Sequence, residues 1–337
     1  MKWIRSCAWL LSLVGITLIG AAQDDIQAEL EKLQERRAQI NAEMQAASES
    51  GDQAKYDQLR VQWDEVSEKI KKLAEQLSQD TESRANAIKL YNQGNKFYQQ
   101  GNIPKAIESY KESLKYDTQN PKVYYNLGSA QYRAKDYPGA LKSFESALRL
   151  SPNYVEAHWM RGNVLDKMGQ PKEALKAYQD AVQYDATFAK AYFGMGSIYL
   201  SMDKDTEAVE AFRRATDLDP KYDLAFISLA QGLIKLNKYD EAIEAANGAI
   251  AADPAAWKAY YLKATAANKA GKTQMALEAA QETLKYKANY AGAYFEIGLA
   301  YETLGNKAAA LENFKRCLDD RQWRPSAEYH IKLIQEG

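Results

Sequence analysis

The residues best suited to bond-making chemistry are few. His158 and His330 are the only histidines, and Cys7 and Cys317 the only cysteines, among 337 residues. A structural zinc site takes four thiolate or imidazole ligands, and a nucleophile needs a base beside it, so neither arrangement has the raw material. His158 stands where tyrosine recurs elsewhere, at Tyr124, Tyr192, Tyr260 and Tyr294, which marks it as a packing residue. Cys317 stands where small residues recur, which predicts a buried and inert thiol. The stretch 266–273 (AANKAGKT) ends like a phosphate-binding loop, yet such a loop needs glycine where Ala266 stands and a β-strand ahead of it. The carboxylates are spread at the spacing of solvated helix faces, with no pair set apart for acid and base work. These residues predict no catalytic site, no bound metal and no cofactor.

The elements that would position any site are set by a repeat. Gly94, Gly128, Gly162, Gly196, Ala230, Ala264 and Gly298 recur every 34 residues without insertion or deletion. Twelve residues after each comes Ala106, Ala140, Ala174, Ala208, Ala242, Ala276 or Ala310. Four further on stands an aromatic in five units: Tyr110, Phe144, Tyr178, Phe212 and Phe314. A small residue follows at Ser113, Ala147, Ala181, Ala215, Ala249, Thr283 and Cys317, and Pro152, Pro220 and Pro254 close three units. The pattern reads as two helices per unit, parted by a turn near Gly101, Gly169, Gly271 or Gly305. Small residues sit where two helices must approach, and the aromatic fills the space beside them. In the fifth and sixth units Ala246 and Ala280 replace the aromatic, and Trp257, Tyr260 and Tyr261 are expected to compensate. Ser326 to Gln335 is expected to form a capping helix, with Tyr329, Ile331, Leu333 and Ile334 offering apolar contacts.

This pattern resembles the tetratricopeptide repeat, and residues 121–154 match it almost throughout. The resemblance covers residues 87–324 and implies an all-α fold: a right-handed α-solenoid of seven 34-residue helix-turn-helix repeats (87–120, 121–154, 155–188, 189–222, 223–256, 257–290, 291–324). It also implies that the first helix of each unit lines a concave groove through its second, fifth, sixth, ninth, twelfth and thirteenth positions. The fifth carries Tyr91, Tyr125, Trp159, Phe193, Ile227, Tyr261 and Phe295, an apolar stripe edged by Asn92, Asn95, Asn126 and Asn163. Lys122, Lys190 and Lys258 recur at the second position, and Arg133, Lys167, Lys235 and Lys269 at the thirteenth. Glu156, Asp166, Glu296 and Glu302 oppose them, so an acidic peptide or C-terminal tail is one hypothesis for the ligand. The candidate groove residues are Tyr91, Asn95, Lys122, Tyr125, Asn126, Arg133, Trp159, Asn163, Lys190, Phe193, Lys258 and Tyr261. Aromatic floor and amide edges suit a protein or extended peptide. The lysine clamp of the chaperone-tail subgroup, at the fifth position, is absent.

Ahead of the repeats, Ile26, Leu30, Leu33, Arg37, Ile40, Met44 and Ala47 alternate spacings of four and three, as do Tyr56, Leu59, Trp63, Val66, Ile70, Leu73 and Leu77. The phase breaks at Ser48 to Asp52, so residues 23–83 are expected to form two helices, as a hairpin or as a coiled coil that pairs chains through residues 24–80. Lys2, Arg5, the apolar run Ala8 to Ala22 and small residues at its end read as a signal peptide over residues 1–22. That places the mature chain in the periplasm or outside the cell; the minor alternative is an uncleaved membrane anchor. Removing Lys2 and Arg5 takes the formal net charge from -1 to -3, a balance that gives no reason to expect nucleic acid as partner. The layout of signal, heptad helices and repeats also resembles the Tol-Pal-associated periplasmic coordinators of envelope constriction. The expected function is a non-catalytic interaction scaffold; the alternative is a self-assembling structural part of an envelope or secretion machine.

Overall fold

A computed structural model describes residues 25–336 in full, together with the backbone of the first helix back to Cys7. The signal peptide expected over residues 1–22 lies outside the fully described residues. Among the described residues the chain is helical throughout, with no strand. It divides into two compact units, residues 1–164 and 165–337.

The first unit opens with α1 (Cys7–Ser50) and α2 (Gln53–Gln99). Gly51 takes a positive φ of 74°, a conformation that costs glycine nothing, and the Asp52 carboxylate caps α2 by accepting from Lys55 N–H. The two heptad faces then meet each other: Ile40, Ala47 and Leu59 are buried together, with Met44, Tyr56, Trp63 and Val66 around them. The segment is therefore a helical hairpin within one chain. Its second helix continues past residue 83, the polar joint at 79–84 being more helix. No glycine or proline interrupts residues 53–93, so α2 runs on through the polar stretch 79–84 and becomes the first helix of the first repeat. Next come α3 (Ile103–Tyr116), α4 (Pro121–Arg133), α5 (Tyr137–Leu150) and most of α6 (Val155–Lys167). Asn102, Asn120 and Asp136 cap α3, α4 and α5, each followed by proline in the first turn, where its missing N–H is harmless.

The second unit continues the alternation through α7 (Pro171–Tyr184), α8 (Ala189–Ser201), α9 (Asp205–Leu218), α10 (Asp223–Lys235) and α11 (Tyr239–Ala252). It closes with α12 (Trp257–Lys269), α13 (Thr273–Tyr286), α14 (Ala291–Thr303), α15 (Lys307–Lys315) and α16 (Arg324–Glu336). Consecutive pairs pack as in an α-solenoid. The predicted turn glycines all take positive φ. Where a unit lacks glycine, Lys135, Asp203 and Asn237 are held in the same left-handed conformation.

The small-residue series is explained by contact. A β-carbon on Gly94 would lie 2.6 Å from the Tyr110 ring, on Gly128 2.9 Å from Phe144, on Gly196 2.6 Å from Phe212 and on Gly298 2.6 Å from Phe314. Ring and glycine are one device, since the ring occupies the space a β-carbon would take. In the fifth and sixth units Ala246 and Ala280 supply no ring, and alanine returns at Ala230 and Ala264, all fully buried. Compensation differs from expectation. Tyr261 joins the core around Ala246, but Trp257 packs on Tyr290 and Tyr260 stacks on Tyr286. In the capping helix α16, Ala327, Ile331 and Ile334 face the core around Phe295 and Phe314. Tyr329 and Leu333, expected to share that contact, point to solvent instead, because they lie on the opposite face of the helix.

Candidate binding face

In the first unit the fifth-position rings are half-buried and wedged between neighbours. Tyr91 tilts against Tyr110 at 6.2 Å between centroids. Tyr125 lies 5.7 Å from Phe144 on its own second helix and 5.0 Å from Tyr154 at the end of its repeat. Burial pushes the Tyr125 hydroxyl pKa up, with the Glu156 carboxylate adding to it. The amides are spent within the fold. Asn95 Oδ1 accepts from the Tyr110 hydroxyl at 2.8 Å and from Asn126 Nδ2 at 2.9 Å, and Asn126 Nδ2 also reaches the Tyr91 hydroxyl at 3.2 Å. Tyr91, Asn95 and Asn126 thus form one polar bridge between the first and second repeats. Asn163 Nδ2 contacts the Met160 sulfur at 3.6 Å, and Trp159 is half-buried. Lys122 is exposed, and Arg133 lies over the Tyr98 ring, 5.0 Å from its centroid.

In the second unit Phe193 lies 5.6 Å from Phe212 and 5.0 Å from Tyr222. Tyr261 meets Tyr290 edge-on at 5.1 Å and Trp323 at 6.4 Å. Lys190 is exposed, and Lys258 reaches Gln231 Oε1 at 3.4 Å. Two thirteenth-position cations dock on the preceding repeat: Lys235 pairs with Asp205 at 2.8 Å, and Lys269 lies over Tyr239 at 5.9 Å. They repeat what Arg133 does in the first unit. The remaining cations of the expected positive tilt are Lys122, Lys190 and Lys258 at the second position and Lys167, which pairs with Asp166 at 3.7 Å on its own helix.

Two of the four opposing carboxylates are also reassigned. Glu302 pairs with His330 Nδ1 at 2.8 Å, and His330 stacks on Phe314. Glu296 is only 4% exposed. Its Oε1 accepts from the Thr265 hydroxyl and its Oε2 from Asn268 Nδ2, each at 2.7 Å. Burial pushes the Glu296 carboxyl pKa up, while those hydrogen bonds and the charge of Lys269 pull it down. Glu296 occupies the sixth position of its repeat, as Asn126 does, and its donors occupy the ninth and twelfth positions of the repeat before. That register was readable in the sequence; the burial was not, because carboxylates at helix spacing ordinarily face water.

Two groove-position residues were missed. At the second position, beside the lysines in register, Ile88 is 60% exposed and Leu224 53%. An apolar side chain left in water where the register turns lysine outward is the signal that would have found them. The remaining chemical candidates stay structural. His158 is buried with Nε2 at 2.8 Å from the Pro152 carbonyl, and Tyr260 makes the equivalent contact to Pro254. The buried Cys317 thiol is pushed up to about 12, mainly by burial. Among the described residues no group of acidic, histidine or cysteine side chains is placed to hold a metal, and no helix is long and apolar enough to cross a membrane.

Paired helices in a constant register, with exposed apolar and basic side chains on the first helix, define a helical repeat protein built for recognition. Family models described as TPR repeat or tetratricopeptide repeat match residues 94–135, 121–154, 160–223, 227–284 and 291–319, together more than half of the chain. The chain belongs to the tetratricopeptide-repeat proteins. No curated protein matches it. Among solved structures, the C-terminal part of a TPR repeat-containing protein from Cytophaga hutchinsonii is 19% identical at a TM-score of 0.58, covering 70% of this chain and 97% of its own. PilF of Pseudomonas aeruginosa is 18% identical at 0.54, covering 64% and 96%. YrrB, described as a TPR protein with an unusual peptide-binding site, is 21% identical at 0.51, covering 56% and 99%. Similarity at this level shows the shared fold. Tetratricopeptide-repeat proteins are generally non-catalytic scaffolds that bind protein partners.

Proposed function

We propose that this protein is an exported scaffold that binds a protein or extended peptide along the first-helix face of its repeats. The observation that carries the reading is the second position. Ile88 and Leu224 are more than half exposed, and Lys122 and Lys190 are exposed at the same register position. Apolar anchors flanked by charge are what a recognition surface needs, the first for affinity and the second for orientation. The fifth-position rings serve as a floor whose first duty is packing. The peptide-binding site described for YrrB is consistent with this use of the fold.

Export rests on the leader-like residues 1–22, which also support placing the scaffold in the bacterial envelope, as the layout resemblance to the Tol-Pal-associated coordinators suggests. Self-assembly through residues 24–80 is the less favoured reading, because the heptad faces of α1 and α2 are already used against each other.

The test is affinity capture from a native envelope extract with the wild-type chain and an Ile88→Glu, Lys122→Glu, Leu224→Glu variant. These side chains are surface-exposed, so the variant should keep the wild-type melting temperature. A partner retained by the wild type and lost by the folded variant is the expected result; equal retention would reject the first-helix face as the site.

A further inference from the structure

One corner of the second unit adds to the packing scheme of the other repeats: the Tyr261–Tyr290 contact repeats Tyr125–Tyr154 and Phe193–Tyr222, and Trp257 and Lys287 are the additions. Trp257 opens α12, and Tyr261 follows one turn later on the same face of the helix. The Trp257 and Tyr290 rings meet at 65° with centroids 5.0 Å apart, and Tyr261 stands at 87° to Tyr290. Over this corner lies the Lys287 ammonium, 4.0 Å from the Trp257 centroid and 5.2 Å from that of Tyr290.

The register shows how unusual the corner is. Only the sixth unit carries tryptophan at its first position. At the thirty-first position, Asp117, Asp185, Asp219 and Asp253 each accept a hydrogen bond from the backbone N–H two residues on, fastening the turn between repeats. The sixth unit has Lys287 there. The second and seventh repeats carry Ser151 and Arg321 at this position, but the sixth alone sets its cation over a tryptophan of the same repeat. The buried Glu296 carboxyl of the next repeat takes its hydrogen bonds from the neutral groups of Thr265 and Asn268. Its charge acts on both Tyr261 and Tyr290. Ring faces attract cations, and a carboxylate held out of water near them strengthens that attraction.

We propose that this corner is a cation-binding subsite of the groove, which takes a lysine or arginine side chain of the bound polypeptide, and that Lys287 is the intramolecular occupant the ligand displaces. Its place in partner binding rests on the groove reading; its preference for a cation does not. Lys287 is exposed and leaves no cavity when truncated.

The probe is tetramethylammonium chloride, with neopentyl alcohol as its neutral isostere. Each is titrated into the full chain while the Trp257 indole N–H resonance is followed, assigned with a Trp257→Phe variant. Lys287→Ala should bind tetramethylammonium about fivefold more tightly than the wild type. Adding Glu296→Gln should weaken that binding about threefold, and the neutral isostere should give no saturable shift. Equal affinity in Lys287→Ala and the wild type, or a matching response to the alcohol, would overturn the proposal. No partner is present in this titration. It can therefore fail while capture on the first-helix face succeeds, and succeed while capture fails.

Discussion

The junction between the first and second repeats and the junction between the sixth and seventh use the same positions for opposite ends. At the first, Gly94 lies beneath the Tyr110 ring, whose hydroxyl reaches Asn95, and Asn126 completes a neutral amide bridge. At the second, the ring is gone, Ala264 and Ala280 fill its place, and the bridge is a buried carboxylate, Glu296. The register holds the geometry constant, and the residues placed in it decide whether a junction is neutral and wedged by a ring or charged and lined by alanine. The aromatic corner at Trp257 stands at the charged junction.

The largest effect expected from this difference is steric. Gly94→Ala drives a β-carbon into Tyr110 and should cost about 2–3 kcal/mol, whereas Ala264→Gly should cost about 2 kcal/mol, the helix-propensity difference plus the buried methyl. Chemical denaturation checks this, and a Gly94→Ala loss that persists unchanged in a Tyr110→Ala background would show that ring and glycine are not coupled.

A smaller effect, with a distinctive pH dependence, belongs to Glu296. Its folded pKa is raised above the ordinary 4.5, so the folded state holds that proton more tightly than the unfolded chain. The sign follows: this carboxyl's contribution is most favourable below the unfolded value and is lost as pH rises through the folded one. Glu296→Gln removes the titration, so its melting temperature should gain on the wild type as pH increases through that window. A difference that stays constant with pH would contradict burial of the charge. At Asn126, which carries no charge, substitution by leucine should give a pH-independent change.

The smallest effect lies in the turns. The second repeat turns at Lys135 with φ 62°, the sixth at Gly271 with φ 73°. Lys135→Gly should stabilise by about 0.5–1 kcal/mol by removing left-handed strain from a side chain, and Gly271→Lys should destabilise by a similar amount. Thermal melts of the pair read both.

Most of the fold was legible because a 34-residue register repeats without error. Gly94 and Ala106 each predict their equivalents down the chain, and contact between helices explains both. The hairpin was half legible. Two heptad seams and the break at Ser48 to Asp52 were plain, but only the meeting of Ile40 with Leu59 shows that they pair within one chain. The candidate site was legible by position and less so by role. Asn95 and Asn126 offered donors and acceptors that turn out to serve the inter-repeat bridge, and Arg133, Lys235 and Lys269 are docked on neighbouring repeats. Partnership across helices decides those roles, and spacing along one helix does not reveal it. Ile88 and Leu224 escaped notice because an apolar residue on a helix reads as core until its exposure is known.

In the proposed function the partner lies along the first helices. The most direct measurement places a photo-crosslinking residue at Ile88 or Leu224 and, separately, at Tyr116 or Tyr184, second-helix positions exposed to a similar degree (47% and 49%). With the partner present, adducts should form from Ile88 and Leu224 and be absent from Tyr116 and Tyr184; adducts confined to Tyr116 and Tyr184 would contradict the account.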